Sequence, residues 1–345
     1  MGLLILSGLG ACARDLKDDL ELSSTPSEFD QKIVATELST LQPPTPLAPE
    51  KIKTSSKSAA PKSAIKSAAA PKKEATPREL VVAKPVLTRI WPIAVGEKSA
   101  YNLRWGVIEG GVVKIEVRPP QNLDGTPALH YLGTVKSSKM MDLFYKIDNS
   151  INTWVRISDL APLRQEIKQN ESARWGRRVM MIDPDKSEVK FYENLTKAKG
   201  GTKEDKRIDK MLLGAQDIFG ALYFYRFVQN VAGDYKFPIH DKGKNWFAEL
   251  KLEDRETLRV PAGVFQARRY KVAPRLEGQL EPKGDVVVWV SDDDRALLLK
   301  FSAKIKVGSI TGELIEHRAG QPISLAVPVP LTPVEQSAAP VAAQE

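Results

Sequence analysis

Between residues 285 and 317 the chain alternates like a meander of strands. Leu299, Phe301, Ala303, Ile305 and Val307 fall on one parity, Lys300, Ser302, Lys304 and Lys306 on the other. That period of two marks a strand with one buried and one wet face. After Asp285, residues 286–290 are apolar on both parities, as in a strand covered on both sides. Ser291-Asp-Asp-Asp-Arg295 between them suits a tight hairpin loop, because short polar side chains bond back to the backbone. Past the break at Gly308-Ser309, residues 310–315 return as a third strand.

Upstream, Val113, Ile115 and Val117 alternate against Lys114, Glu116 and Arg118, and residues 129–135 and 152–156 follow suit after a turn at Asp124-Gly125. Residues 140–145 read as a helical turn. Residues 163–171, 174–182 and 188–193 form a second, basic meander, and the Gly-rich, charged stretch 197–205 reads as a mobile loop. One helix follows: Asp217 caps it, and Ile218, Phe219, Leu222, Tyr225 and Val228 recur at helical spacing until about Asn230, with Gly233 beyond. Strands at 235–239, 246–252, 257–260 and 264–272 lead into the closing meander. The expected fold is mainly β, a curved antiparallel sheet or partly closed barrel covered by one main helix.

Composition sets the limits of that domain. Every Trp lies between Trp91 and Trp289, Phe29 is the single aromatic before Ile90, and none follows His317. Ends so poor in aromatics and rich in Pro, Ala, Ser and Lys bury too little apolar surface to offset the entropy of ordering them. The expected layout is residues 1–12 as a processing segment, 13–90 as a disordered Ala/Pro/Lys/Ser-rich linker, 91–318 as the β domain and 319–345 as a disordered tail. As a random coil, some 75 linker residues would reach ~50 Å.

The processing segment carries the sharpest signal. Leu9-Gly10-Ala11-Cys12 ends a short apolar run and resembles the box at which bacterial lipoprotein signal peptides are cut before a cysteine that then takes lipid. No Lys or Arg precedes the run, a departure that a start codon further upstream would explain. Cys12 is the chain's single cysteine, which excludes an intrachain disulfide or a Cys-based zinc cluster. Ala13 stands where enterobacterial lipoproteins kept at the inner membrane carry Asp. By that resemblance the protein is an envelope lipoprotein on the periplasmic face of the outer membrane. The formal charge of +8 favours acidic partners, and the basic linker suits peptidoglycan or anionic lipid better than a specific nucleic acid. Nucleic-acid binding through phosphate contacts is the expectation if the chain is not exported.

Catalytic signatures are sparse. The three histidines, His130, His240 and His317, stand singly, and there is no P-loop, nucleotide fingerprint or nucleophile elbow, so neither a cofactor nor a metal is expected. Asp292 and Asp293 are the candidate carboxylates of a cell-wall hydrolase, with a hairpin loop as the competing reading. Arg226, set among apolar helix residues, calls for a carboxylate partner, with Asp217 and Glu249 as candidates. Tyr101, Trp105, Trp154, Phe219, Tyr223 and Trp289 either fill the sheet's interior or line a hole for a lipid chain.

Taken together, Gly96-Glu97, Tyr101, Trp105-Gly106, Gly110-Gly111, Asp217 with Ala221-Leu222-Tyr223 and Arg226, Val260-Pro-Ala-Gly263 before Phe265, Trp289 with Ser291-Asp-Asp293, and Gly308-Ser309 before Glu313-Leu314 resemble the DUF3108-type family of uncharacterised bacterial exported proteins. The resemblance spans roughly residues 91–318. It implies an envelope protein with a mainly β fold, and it brings no reaction, ligand or catalytic residue with it. The reading is therefore a non-catalytic lipoprotein whose β domain binds or scaffolds an envelope component: lipid, cell-wall polymer or a partner protein.

Overall fold

In the computed structural model, residues 26–29, 31–35, 81–82, 90–228, 234–277, 286–305 and 308–324 are described. Cys12 and the predicted helix end at Asn230 and Gly233 lie outside them. In chain order, a single turn at Ser27–Phe29 precedes β1 (Ile33–Ala35), β2 (Val81–Val82), β3 (Ile90–Val95), β4 (Lys98–Trp105), β5 (Ile108–Leu123) and β6 (Thr126–Ser137). The short helix α1 (Lys139–Asp142) leads to β7 (Asp148–Arg156), β8 (Pro162–Glu171), β9 (Arg174–Asp183), β10 (Glu188–Lys197), β11 (Thr202–Lys210) and β12 (Gln216–Asp217). Helix α2 (Ala221–Val228) is followed by β13 (Tyr235–Asp241), β14 (Lys244–Val260), β15 (Gly263–Leu276), β16 (Val286–Ser291), β17 (Leu298–Lys304), β18 (Ser309–Arg318) and β19 (Gln321–Ser324).

Strands β13 to β18 pair in sequence, β18 then pairs with β4, and β4 to β11 continue in sequence, every contact antiparallel. β2 and β12 add to β13 in parallel, and β1 adds to β5, giving a 17-stranded sheet. Its ends curl toward each other, Asn245 Nδ2 donating to the Lys210 carbonyl at 3.4 Å. Among the described residues no ladder joins β11 to β13, so the barrel is unclosed.

Alternation decides which side chains enter the curl. Tyr101, Val113, Val117, Leu129, Tyr131, Ile151 and Val155 face inward into one large core with α2. Gly133 sits beneath the helix, where a Cβ would lie 2.7 Å from the Phe219 ring. A bare backbone there lets the helix approach the sheet. Every residue of α2 except Leu222 is buried, as expected of a helix enclosed on all sides.

The expected meander at 285–317 is β16 to β18, and its Ser291–Arg295 hairpin loop is present. Three readings need correction. The stretch 197–205 is not a loop throughout: from Thr202 it is β11, an all but entirely polar strand. Its inward alternation is one of charge, with Arg207 bonded to Asp205 (2.5 Å) and Asp209 (2.9 Å) and lying 3.7 Å from the centre of the Phe191 ring. A charged strand also suits the end of a sheet, where it discourages pairing with another chain. Residues 246–252 and 257–260 are one strand, β14, because β15 pairs across the apolar-poor gap with an irregularity between Leu252 and Asp254.

The third correction concerns the domain boundaries. Residues of the expected linker dock on the outer face of the sheet: Phe29 packs with Val179 and Tyr192, and its carbonyl accepts from Arg164 at 2.9 Å. Ile33 packs beside Leu123, Ala128 and Trp154. Burying Phe29 contributes about 1.5–3 kcal/mol, enough to hold a short segment that has few other contacts. β2 lies within the same expected linker, and β19 lies past residue 318, paired with β3.

Candidate functional site

The concave side of the sheet holds the most unusual chemistry, a buried ion pair carried by α2. Arg226 Nη1 donates to Glu97 Oε1 at 2.6 Å and Nη2 to Oε2 at 3.2 Å. The same guanidinium donates through Nη2 to the Pro92 carbonyl and through Nε to the Arg295 carbonyl at 2.7 Å. Burial works against its charge, yet Glu97 holds the Arg226 pKa above its ordinary value. The fork thus ties the helix to β3, to the β3–β4 turn and to the loop after β16. Neither Asp217 nor Glu249 is the partner, because Glu249 pairs with Arg275 at 2.8 Å and Asp217, in β12 rather than at the cap position expected of it, accepts from the turn that leads into the helix.

Asp217 Oδ1 accepts from the Phe219 and Gly220 amides, both at 2.9 Å, from Thr153 Oγ1 at 3.0 Å and from Gln165 Nε2 at 2.5 Å. The helix start is thereby fastened to β7 and β8. Oδ2 is buried without a protein partner. Burial lifts the Asp217 carboxyl above its usual range, outweighing the hydrogen bonds from Gly220, Thr153, Phe219 and Gln165.

The carboxylate-rich loop turns its backbone inward. Tyr225 donates its hydroxyl to the Ala296 carbonyl, and Tyr101 donates to the Leu298 carbonyl at 2.9 Å. Its carboxylates point elsewhere: Asp292 pairs with Arg268 (3.1 Å) and Arg255 (3.2 Å), and Asp293 with Arg295 (2.6 Å). Burial raises the Asp293 pKa, but hydrogen bonds from Ser291 and Arg295 win and hold it low, the wrong direction for a general acid.

The six aromatic candidates do not share one surface. Tyr101, Phe219 and Tyr223 lie in the central core, Tyr223 stacked on Tyr131 with centroids 4.0 Å apart. Trp154 faces the opposite side of the sheet, stacked on His130 at 4.6 Å and donating to Gln121 at 2.5 Å. Trp105 and Trp289 are half-buried, and Trp289 donates to Glu256 at 2.6 Å. The histidines stay apart, each beside a neutral partner: Asn152 for His130, Asn245 for His240 and Ser99 for His317. Among the described residues, no group of His, Cys, Asp and Glu is placed to hold a metal ion, and no helix is long and apolar enough to cross a membrane. Sequence reasoning missed Glu97 as the ion-pair partner. Its one signal was the Gly96-Glu97 turn ahead of Tyr101.

No curated protein matches the chain. Among solved structures it is similar to a β-barrel-like protein of a domain of unknown function, DUF1849, from Brucella abortus, with TM-score 0.42 and 11% identity over 66% of this chain and 98% of that one. It is also similar to a candidate lipoprotein from Parabacteroides distasonis, with TM-score 0.29 and 11% identity over 66% and 97%. A third similar structure is a candidate exported protein with YmcC-like fold from Bacteroides fragilis, with TM-score 0.29 and 8% identity over 68% and 99%. The profile of one family matches residues 100–315, from within β4 to within β18 and including α2. The chain therefore belongs to the family described as Protein of unknown function (DUF3108).

Proposed function

We propose that this protein is a non-catalytic lipoprotein of the cell envelope, lipidated at Cys12 and facing the periplasm from the outer membrane, whose β domain scaffolds another envelope component through its surface. The observation that carries this reading is the occupied concave side: α2 and the loop after β16 fill the place where an interior ligand would sit. Binding then falls to the outside of the sheet and its ends. Arginine pairing of Asp292 and Asp293 supports the non-catalytic part. The box at Leu9 to Cys12 and the Ala13 that follows support the anchor and the outer membrane.

Two measurements test it. Cells fed radiolabelled palmitate should yield labelled wild-type protein and unlabelled Cys12→Ala protein; an unlabelled wild type would overturn the anchor. Organic extraction of the purified Cys12→Ala chain should release no stoichiometric lipid. One lipid per chain in that extract would restore the interior-ligand reading.

A further inference from the structure

The end of the sheet formed by the β4–β5 hairpin and α1 presents apolar side chains outward. Val107 at the hairpin tip is 88% exposed, and Met140, Leu143 and Phe144 are 50%, 72% and 66% exposed. The two pieces adjoin: Gly111 pairs with Ser137, Ser138 N donates to the Gly110 carbonyl at 3.1 Å and Ser138 Oγ to the Glu109 carbonyl at 2.7 Å. Their support is ordered. Ser138 caps α1 at Met141 N (3.1 Å), and the Met141 carbonyl takes the amides of Phe144 and Tyr145. Tyr145, buried and donating to Glu171 at 2.7 Å, turns inward while Leu143 and Phe144 are left outside. Adjacent exposed Leu and Phe on a fixed backbone mark an interaction site rather than the scattered apolar surface of any protein.

Charge says which kind. Arg104, Lys136, Lys139 and Lys304 are exposed at this end, Lys304 through its pairing with Ser309, whose carbonyl takes the Gly106 amide. Against these four cations stand three carboxylates, Asp148 paired with Lys136 at 3.3 Å, Asp142 accepting from Ser137 Oγ, and exposed Glu109, so the cations lead by one charge. A Phe/Leu/Met tip ringed by lysines and an arginine, with the cations in slight excess, matches the interfacial zone of a bilayer, with acyl boundary for the apolar side chains and anionic headgroups for the cations.

We propose that this end of the domain docks on a membrane bearing anionic lipid, seating Val107, Met140, Leu143 and Phe144 in the headgroup region. The proposal rests on the envelope reading for the membrane it meets, and it names the lipid surface as a component the domain binds without help from Cys12.

The full chain carrying Cys12→Ala, which cannot be acylated, tests it by cosedimentation with vesicles. It should bind vesicles of equal parts phosphatidylcholine and phosphatidylglycerol, and bind phosphatidylcholine alone more weakly. Adding Leu143→Ser and Phe144→Ser should weaken binding to the mixed vesicles by at least about tenfold while leaving the melting temperature in place, since both side chains are exposed. Unchanged binding after those substitutions, or no binding by the parent, overturns the proposal. A dimer in gel filtration that the two substitutions dissolve would assign the patch to a second copy and overturn it equally. Palmitate labelling is blind to this patch, so the anchor and the docking surface fail separately.

Discussion

Arg226→Met is expected to lower the stability of the domain by about 3–5 kcal/mol, the usual cost of removing one partner from a buried ion pair. For a domain of this size that is roughly 10 °C in melting temperature. The cause is what remains: Glu97 stays buried inside the curl without its partner, and the Pro92 and Arg295 carbonyls lose a donor. Pairing the change with Glu97→Met should recover part of the loss, because no uncompensated charge then stays buried, but the two carbonyls keep the double variant below wild type. Thermal unfolding followed by circular dichroism reads all three proteins. A single variant that melts with the wild type would show that the pair does not hold the helix in place.

Asp217→Ala should cost a similar amount, about 3–5 kcal/mol. It takes the acceptor from the Phe219 and Gly220 amides in the turn before α2 and from the buried Thr153 and Gln165 donors, about 1–3 kcal/mol each less what relaxation recovers. Asp217→Asn behaves differently, because it keeps the accepting oxygen, loses the charge and puts an amide NH2 in the place of the unpartnered Oδ2. Burial raises the folded pKa of this carboxyl above its unfolded value, so its contribution to stability is complete below the unfolded pKa of about 3.9. That contribution drains away as pH rises through the folded pKa. Urea unfolding across a pH series should therefore show the Asn variant gaining on the wild type from acid toward neutral pH. Parallel stability curves would mean that the carboxyl titrates normally in its pocket.

What could be read from the letters follows from how much of each element's pattern is apolar. The meander of β16 to β18 was plain because β16 is a continuous apolar run and β17 alternates over enough residues to define a face, with Gly308-Ser309 marking the return into β18. β11 escaped because its inward side is built of Asp205, Arg207 and Asp209, which give no hydrophobic period. The three residues of β1 and two of β2 are too few for any period. Phe29 was the available hint, a lone aromatic in a stretch otherwise without them, and it proves to be buried. For the site, Arg226 announced itself as a charge among apolar neighbours. Its partner did not, since Glu97 lies 129 positions away and only the folded sheet brings them together.

The docking of Phe29 and β1 sets the reach that a lipid at Cys12 would give the domain. If Cys12 carries lipid, the leash to the first docked residues is the dozen or so residues before Pro26, at most roughly 50 Å when fully stretched, whereas the Pro/Lys-rich stretch leaves the domain after Ala35 and comes back at Val81. Because β1 and β2 on either side of it are both paired to the domain, the length of that stretch adds nothing to the reach. A protease cutting between residues 36 and 80 would leave the N-terminal piece held to the head by Phe29, the three residues of β1 and the bonds around them.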